Sequence, residues 1–173
     1  AALRASSFKG ARKAIGALKT ESLRLDLPFQ APPPAEELRA MISRERHPGN
    51  RARREELLAI AESGERPTTS FPMRAFAIGR DLCMLAMPNE PFAEYHLFAD
   101  KAGAFRHTFA FGYTNGMEGY VGTRKDYALG NNGGYETSPF GAALMFRNRL
   151  PLALEAESMI QQGIKTVLRK LAA

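Results

Sequence analysis

The chain has 173 residues, 45% hydrophobic and 24% charged, a balance that excludes fibrous and intrinsically disordered classes. No stretch approaches the roughly 20 unbroken apolar residues that cross a bilayer, and one cysteine, Cys83, excludes an internal disulfide. The formal charge of +6 is uneven, because the cationic surplus lies in residues 1–54. Its densest part, from Arg44 to Arg54, has no aromatic residues interleaved for base stacking, so it reads as a solvated helical face rather than a nucleic-acid surface. A chain of this length buries roughly 68–70% of its unfolded surface, and 1–173 is expected to form a single unit. The start, Ala1-Ala2-Leu3-Arg4, has neither an initiator Met nor a signal pattern, and reads as a sequence that begins inside a longer product.

Residues 1–70 read as a mainly helical lead-in. Phe8, Ala11, Ala14, Ile15 and Leu18 recur at helical spacing over Ser7 to Lys19. Leu23, Leu25 and Leu27 alternate with Arg24 and Asp26 like a half-buried strand, which Pro28 and Pro32-Pro33-Pro34 end. A helix with an acidic first turn opens at Ala35-Glu36-Glu37, His47-Pro48-Gly49 breaks it, and a second runs from about Arg51 to Ser63 with Gly64 as its stop.

Residues 71–140 change character. Met73, Ala75 and Ala77 alternate outward from Phe71, Gly79-Arg80 turns the chain, and Leu82 to Met87 is apolar throughout, the mark of a central strand covered on both faces. Pro91 to Ala102 reads as a helix with Phe92, Tyr95, Phe98 and Ala99 on one stripe, and Phe105 to Tyr113 as strand. Strand, helix and strand make a βαβ unit whose right-handed crossover sets the two strands parallel. Residues 141–173 complete the chain with helices, the last carrying a stripe through Ala156, Ile160, Ile164, Val167, Leu168 and Leu171. The expected fold class is α/β, a mixed sheet with a βαβ unit flanked by helices.

Parallel strands end on one edge, where open α/β sheets hold ligands. That edge receives Pro88-Asn89-Glu90 and Tyr113-Thr114-Asn115, and Glu90, in the first turn of the following helix, is expected to stay ionised and able to bind a cation. The Gly- and Asn-rich segment from Gly112 to Gly134 is too long for a mere turn, and such loops are often functional. Pro88-Asn89-Glu90-Pro91-Phe92, then Gly112-Tyr113-Thr114-Asn115-Gly116-Met117-Glu118-Gly119-Tyr120-Val121, then Gly133-Gly134-Tyr135-Glu136 resemble the neutral ceramidases in order and spacing. The resemblance covers most of the chain and is most specific over 71–140.

The resemblance implies a zinc amidase that cleaves the N-acyl bond of ceramide or a related lipid, with this chain as the C-terminal part of the catalytic domain. It places two zinc ligands on Glu90 and Tyr120, and puts Asn115, Tyr135, Glu136 and Ser138 in or beside the site. The family takes two further zinc histidines and its serine from upstream sequence; His47, His96 and His107 lack a partner at ligand spacing. The sequence departs from the family at Asn89, where Gly is usual, although Asn is the side chain that best tolerates left-handed backbone. A non-catalytic assembly domain, or a basic nucleic-acid-binding module over 1–54, are the alternative readings.

Overall fold

The structure, a computed structural model, describes residues 16–146 and 150–173. The helical stripe read over 7–15 lies outside them, but its last members, Leu18 and Lys19, belong to a strand. That strand, β1 (Leu18–Pro28), runs antiparallel to β2 (Thr68–Ile78), with Leu23 opposite Met73 and Leu25 opposite Phe71. The period-2 pattern of the leucines therefore extends backward through Glu21 and Lys19. Between the two strands lie α1 (Ala35–Arg44) and α2 (Pro48–Ser63), so residues 16–70 combine an 11-residue strand with two helices.

The breakers act as their chemistry requires. Pro48 occupies the first turn of α2, where its missing N–H costs nothing, and His47 Nδ1 accepts the Asn50 N–H at 3.3 Å as a cap. Gly64 ends the helix in left-handed backbone, φ 69°. An Arg54–Glu45 ion pair and an Arg39–Glu62 pair link α1 and α2, while Leu38 and Leu57 form a small apolar cluster with Leu150.

After β2 come β3 (Leu82–Ala86), the two-residue β4 (Glu90–Pro91), α3 (Ala93–Lys101), β5 (His107–Phe111), the two-residue β6 (Tyr120–Val121), the short α4 (Arg124–Tyr127) and α5 (Ala156–Ala172). The main sheet has the order β1-β2-β3-β5; β3 and β5 are parallel across α3, as the βαβ reading requires, and the other pairs are antiparallel. The architecture is mixed α/β.

One face of the sheet is covered. Phe71, Met73, Ala75, Ala77, Cys83 and Leu85 pack with Ile160, Ile164, Val167, Leu168 and Leu171 of α5 and with Tyr95 and Ala99 of α3. Each buried large aliphatic of the α5 stripe contributes roughly 1.5–3 kcal/mol before entropic costs. Gly163 lets α5 approach closely, since a Cβ there would overlap Met73 Cε and crowd Leu25.

The opposite face is open. Phe76, Met84 and Phe109 form one row across β2, β3 and β5, and Phe111 follows two residues on; the three phenylalanines are 38–48% exposed. The expectation that β3 is covered on both faces is corrected here. Only Cys83 and Leu85 are fully buried, whereas Leu82, Met84 and Ala86 point to the open face and are half-buried. The strand reads as uniformly apolar because its outward residues are apolar too.

Candidate metal centre

The ends of β3 and β5 are bound to each other by backbone. Met87 N–H donates to Phe111 O at 2.9 Å, and Met87 O accepts both the Thr114 N–H, at 3.1 Å, and the Thr114 hydroxyl, at 2.6 Å. One step further, Asn89 N–H donates to Gly116 O at 2.9 Å, Asn89 O accepts Tyr113 N–H at 2.6 Å, and Asn89 Oδ1 accepts Glu118 N–H at 2.8 Å. Glu90 N–H then donates to Gly119 O at 3.0 Å and Phe92 N–H to Val121 O at 3.0 Å. These bonds draw the loop after β5 alongside Asn89-Glu90-Pro91 and create the parallel β4–β6 ladder, in which Glu90 stands opposite Tyr120.

Glu90 is thus a strand residue, three positions before α3, and not part of that helix's first turn. The cause is local. Pro91 disfavours helical backbone at the residue before it, and the Glu90 N–H is already committed to Gly119 O. The helix dipole is therefore not what acts on this carboxylate.

Three non-glycine residues with positive φ surround Glu90: Asn89 (64°), Tyr113 (57°) and Asn115 (65°). Asn89 takes left-handed backbone that a glycine would adopt freely, and its side chain adds a bond to the Glu118 N–H. For the bulky Tyr113 the same conformation is a strained state, costing of order 1–3 kcal/mol.

Two phenols respond to the Glu90 carboxylate. Hydrogen bonding toward Glu90, then loss of solvent and the carboxylate's charge, pushes the Tyr113 pKa up to about 12. Tyr120 stands opposite Glu90 in the β4–β6 ladder; its pKa is raised first by loss of solvent, then by the negative charges of Glu90 and Glu136. Both phenols therefore hold their protons beside the carboxylate. A cation placed among these oxygens reverses the sign of the local field and favours phenolate.

Other expected site residues fall into place unevenly. Tyr135 packs edge-on to the Tyr120 ring, centroids 6.3 Å apart, and Phe146 does so from another side at the same separation. Glu136 lines a small cavity with Tyr120, Asn89 and Glu118. Asn115 lines an adjoining polar cleft of about 430 Å³, together with Thr68, Thr69, Ser70 and Glu118. Ser138 sits in the turn after Glu136, its N–H bonded to Gly134 O and its carbonyl to the Gly141 N–H. Beneath the site, the Tyr127 hydroxyl donates to Tyr120 O at 3.1 Å and accepts Gly122 N–H at 3.0 Å; burial pushes its pKa up to about 12. The buried Tyr95 hydroxyl donates to Gly122 O at 2.9 Å.

Sequence reasoning missed Tyr113 and Tyr127. The signal for Tyr113 was its parity with Phe109 and Phe111, both exposed on the open face. Tyr127 gave none, because its role depends on a hydrogen bond to backbone only five residues away in a loop.

Among the described residues no three His, Cys, Asp or Glu side chains cluster as a metal site. His96 Nδ1 accepts the Ala110 N–H at 3.1 Å and His47 caps α2, so both serve the scaffold. As a donor set, the Glu90 carboxylate and Tyr120 phenol suit a hard or borderline cation, but they are two oxygens where a catalytic zinc takes about three protein ligands and a water. Comparison with known proteins returns no match to a family model, a curated protein or a solved structure.

Proposed function

We propose that this chain is the C-terminal part of a zinc-dependent amidase resembling the neutral ceramidases. Glu90 and Tyr120 supply two zinc ligands, and the remaining ligands, with the nucleophile, come from sequence upstream of residue 1. The observation that carries this reading is the pairing of Glu90 with Tyr120 across β4 and β6. Residues far apart in sequence are thereby held as neighbouring oxygen donors by backbone bonds, before any metal is bound.

Bound zinc supplies a Lewis acid that polarises an amide carbonyl and lowers the pKa of its water. The chain's own residues have separate tasks. Glu90 would provide a charged donor and Tyr120 a phenol oxygen, while Tyr135 and Phe146 hold the Tyr120 ring in place. Glu136 keeps the surroundings negative. The exposed strip of Phe109 and Phe111 leads along β5 to Tyr113 and the site, which supports a substrate with an apolar chain such as an N-acyl lipid.

The test uses the chain joined to its upstream sequence. Zinc-dependent hydrolysis of ceramide or a related amide is expected, with Glu90→Ala inactive, Tyr120→Phe strongly impaired and both variants folded. Residues 1–173 alone should not hydrolyse ceramide. Robust hydrolysis by 1–173, or full activity in Glu90→Ala, would sink the shared-site assignment. The open apolar sheet face favours one second reading, a non-catalytic assembly domain that docks through Phe76, Phe109 and Phe111. Metal analysis of the longer protein separates the two, since only the amidase retains stoichiometric zinc.

A further inference from the structure

The open face of the sheet is apolar as far as the corner at which β1 begins. Leu18, Ile78 and Leu82 stand in one row across β1, β2 and β3, and Phe76, Met84 and Phe109 in the next, across β2, β3 and β5. Leu18, at the outer end of the first row, is 69% exposed. Strands lie about 4.8 Å apart and same-face residues about 6.8 Å apart along each strand, so the two rows make a patch of roughly 200 Å². A stable dimer takes about 800 Å² from each copy, far more than this patch supplies. One helix, about 10 Å across, covers it.

We infer that residues 3–15 of this chain supply that helix and dock on the open face. The segment lies outside the described residues, but its sequence carries Phe8, Ala11 and Ile15 at i, i+3 and i+7, with Lys9 and Lys13 on the other side. Its roughly 13 residues rise ~20 Å as a helix, enough to span the ~14 Å between the outer strands of a four-stranded sheet. Helices this short are marginal in water by themselves, so an apolar surface is what would hold one. The segment also joins the sheet at the patch. Gly16 lies against the turn after β2, where a Cβ on it would overlap Gly79 Cα, and Ala17 O accepts the Gly79 N–H at 3.1 Å. The φ of 142° at Gly16 is backbone that residues with side chains rarely adopt, so β1 does not run on straight upstream. The covered face has no room at that end, because Ala77 and Cys83 are already buried in the core. Ile15 then meets the row of Leu18, Ile78 and Leu82, and Phe8 the row of Phe76, Met84 and Phe109. Phe111, one row further along β5, stays open. The inference does not depend on the zinc reading.

The experiment is NMR of the 173-residue chain labelled at methionine methyls and phenylalanine rings, with Met84→Leu and Phe8→Leu assigning the two signals by their loss. A nuclear Overhauser effect from the Phe8 ring to the Met84 methyl is expected in dilute solution. Phe8→Asp should move the Met84 methyl signal and raise the fluorescence of a dye for apolar surface several-fold, while Lys9→Asp should do neither. The methyl signal of Met73, buried on the covered face, should stay in place in both variants. Absence of the Overhauser effect, or a Met84 signal unmoved by Phe8→Asp, overturns the inference. So does an effect seen only between differently labelled chains, which gives the face to a second copy. Because the Overhauser effect is read in the unaltered chain, it decides even where the aspartate variant loses structure.

Discussion

Asn89 offers a test in which backbone and side chain are separable. It is 7% exposed, has φ 64°, and accepts the Glu118 N–H through Oδ1 at 2.8 Å. Asn89→Ala removes the acceptor, worth about 0.5–1.5 kcal/mol. It also places a side chain with no affinity for left-handed backbone there, and that conformation costs L-residues roughly 1–2 kcal/mol. The expected loss is about 2–3 kcal/mol. Asn89→Gly removes the same acceptor but relieves the backbone, at the expense of about 0.4–1 kcal/mol of added freedom in the unfolded chain. Its net loss should be roughly 1 kcal/mol. In urea, with a slope near ~2 kcal/mol/M, the alanine variant should unfold about 1 M earlier than the parent and the glycine variant about half as far. Equal midpoints for the two variants would show that only the hydrogen bond matters. An alanine variant more stable than the glycine one refutes the assignment of strained backbone at Asn89.

Tyr127→Phe leaves the buried Gly122 N–H without its acceptor and should cost about 1–3 kcal/mol in urea unfolding. The Tyr127 phenol has a folded pKa of about 12 against an ordinary 10, so its contribution is complete below about pH 10 and declines as pH rises toward 12; Tyr127→Phe should flatten that decline in stability measured between those limits. Burial pushes the Cys83 thiol up to about 11, and a thiol reagent at pH 8 should label it only as fast as the protein unfolds; rapid labelling of the native chain would contradict the placement of β3 under α5. Gly163→Val should destabilise by about 1–3 kcal/mol through overpacking, and by less in a Met73→Ala background, because Met73 Cε is the atom met. On the proposed zinc reading, zinc affinity should rise with pH, since Tyr120 would have to lose a proton that its surroundings retain; an affinity that falls as pH rises excludes Tyr120 as a ligand.

The βαβ unit was legible because each part has its own signal: the apolar run at Leu82, the helical stripe through Tyr95 and Ala99, and Gly103 in left-handed backbone after the helix. The stripe of α5 was legible for the same reason. β1 was legible only in part, because Leu18 fits a helical stripe as well as a strand and the pairing with Ile78 lies 60 residues away. The nearness of Glu90 and Tyr120 followed from strand ends sharing an edge. Their pairing as β4 and β6 did not, since two-residue strands carry no periodicity and exist only through the bonds of Asn89, Gly116 and Gly119. The positive φ of Tyr113 and Asn115 was likewise invisible, whereas Asn89 is of the residue type that best tolerates left-handed backbone.

On the proposed zinc reading, the clasp of the loop onto Asn89-Glu90 also makes metal occupancy readable from heat. Glu90 and Tyr120 adjoin only while the loop hydrogen bonds are formed, so a cation that uses both has far less to hold in the unfolded chain. By mass action, a ligand present at 100 times its dissociation constant then raises folding stability by about 2.7 kcal/mol. Melting temperature as a function of zinc concentration thus becomes a binding isotherm for the pair, obtainable before any substrate is known.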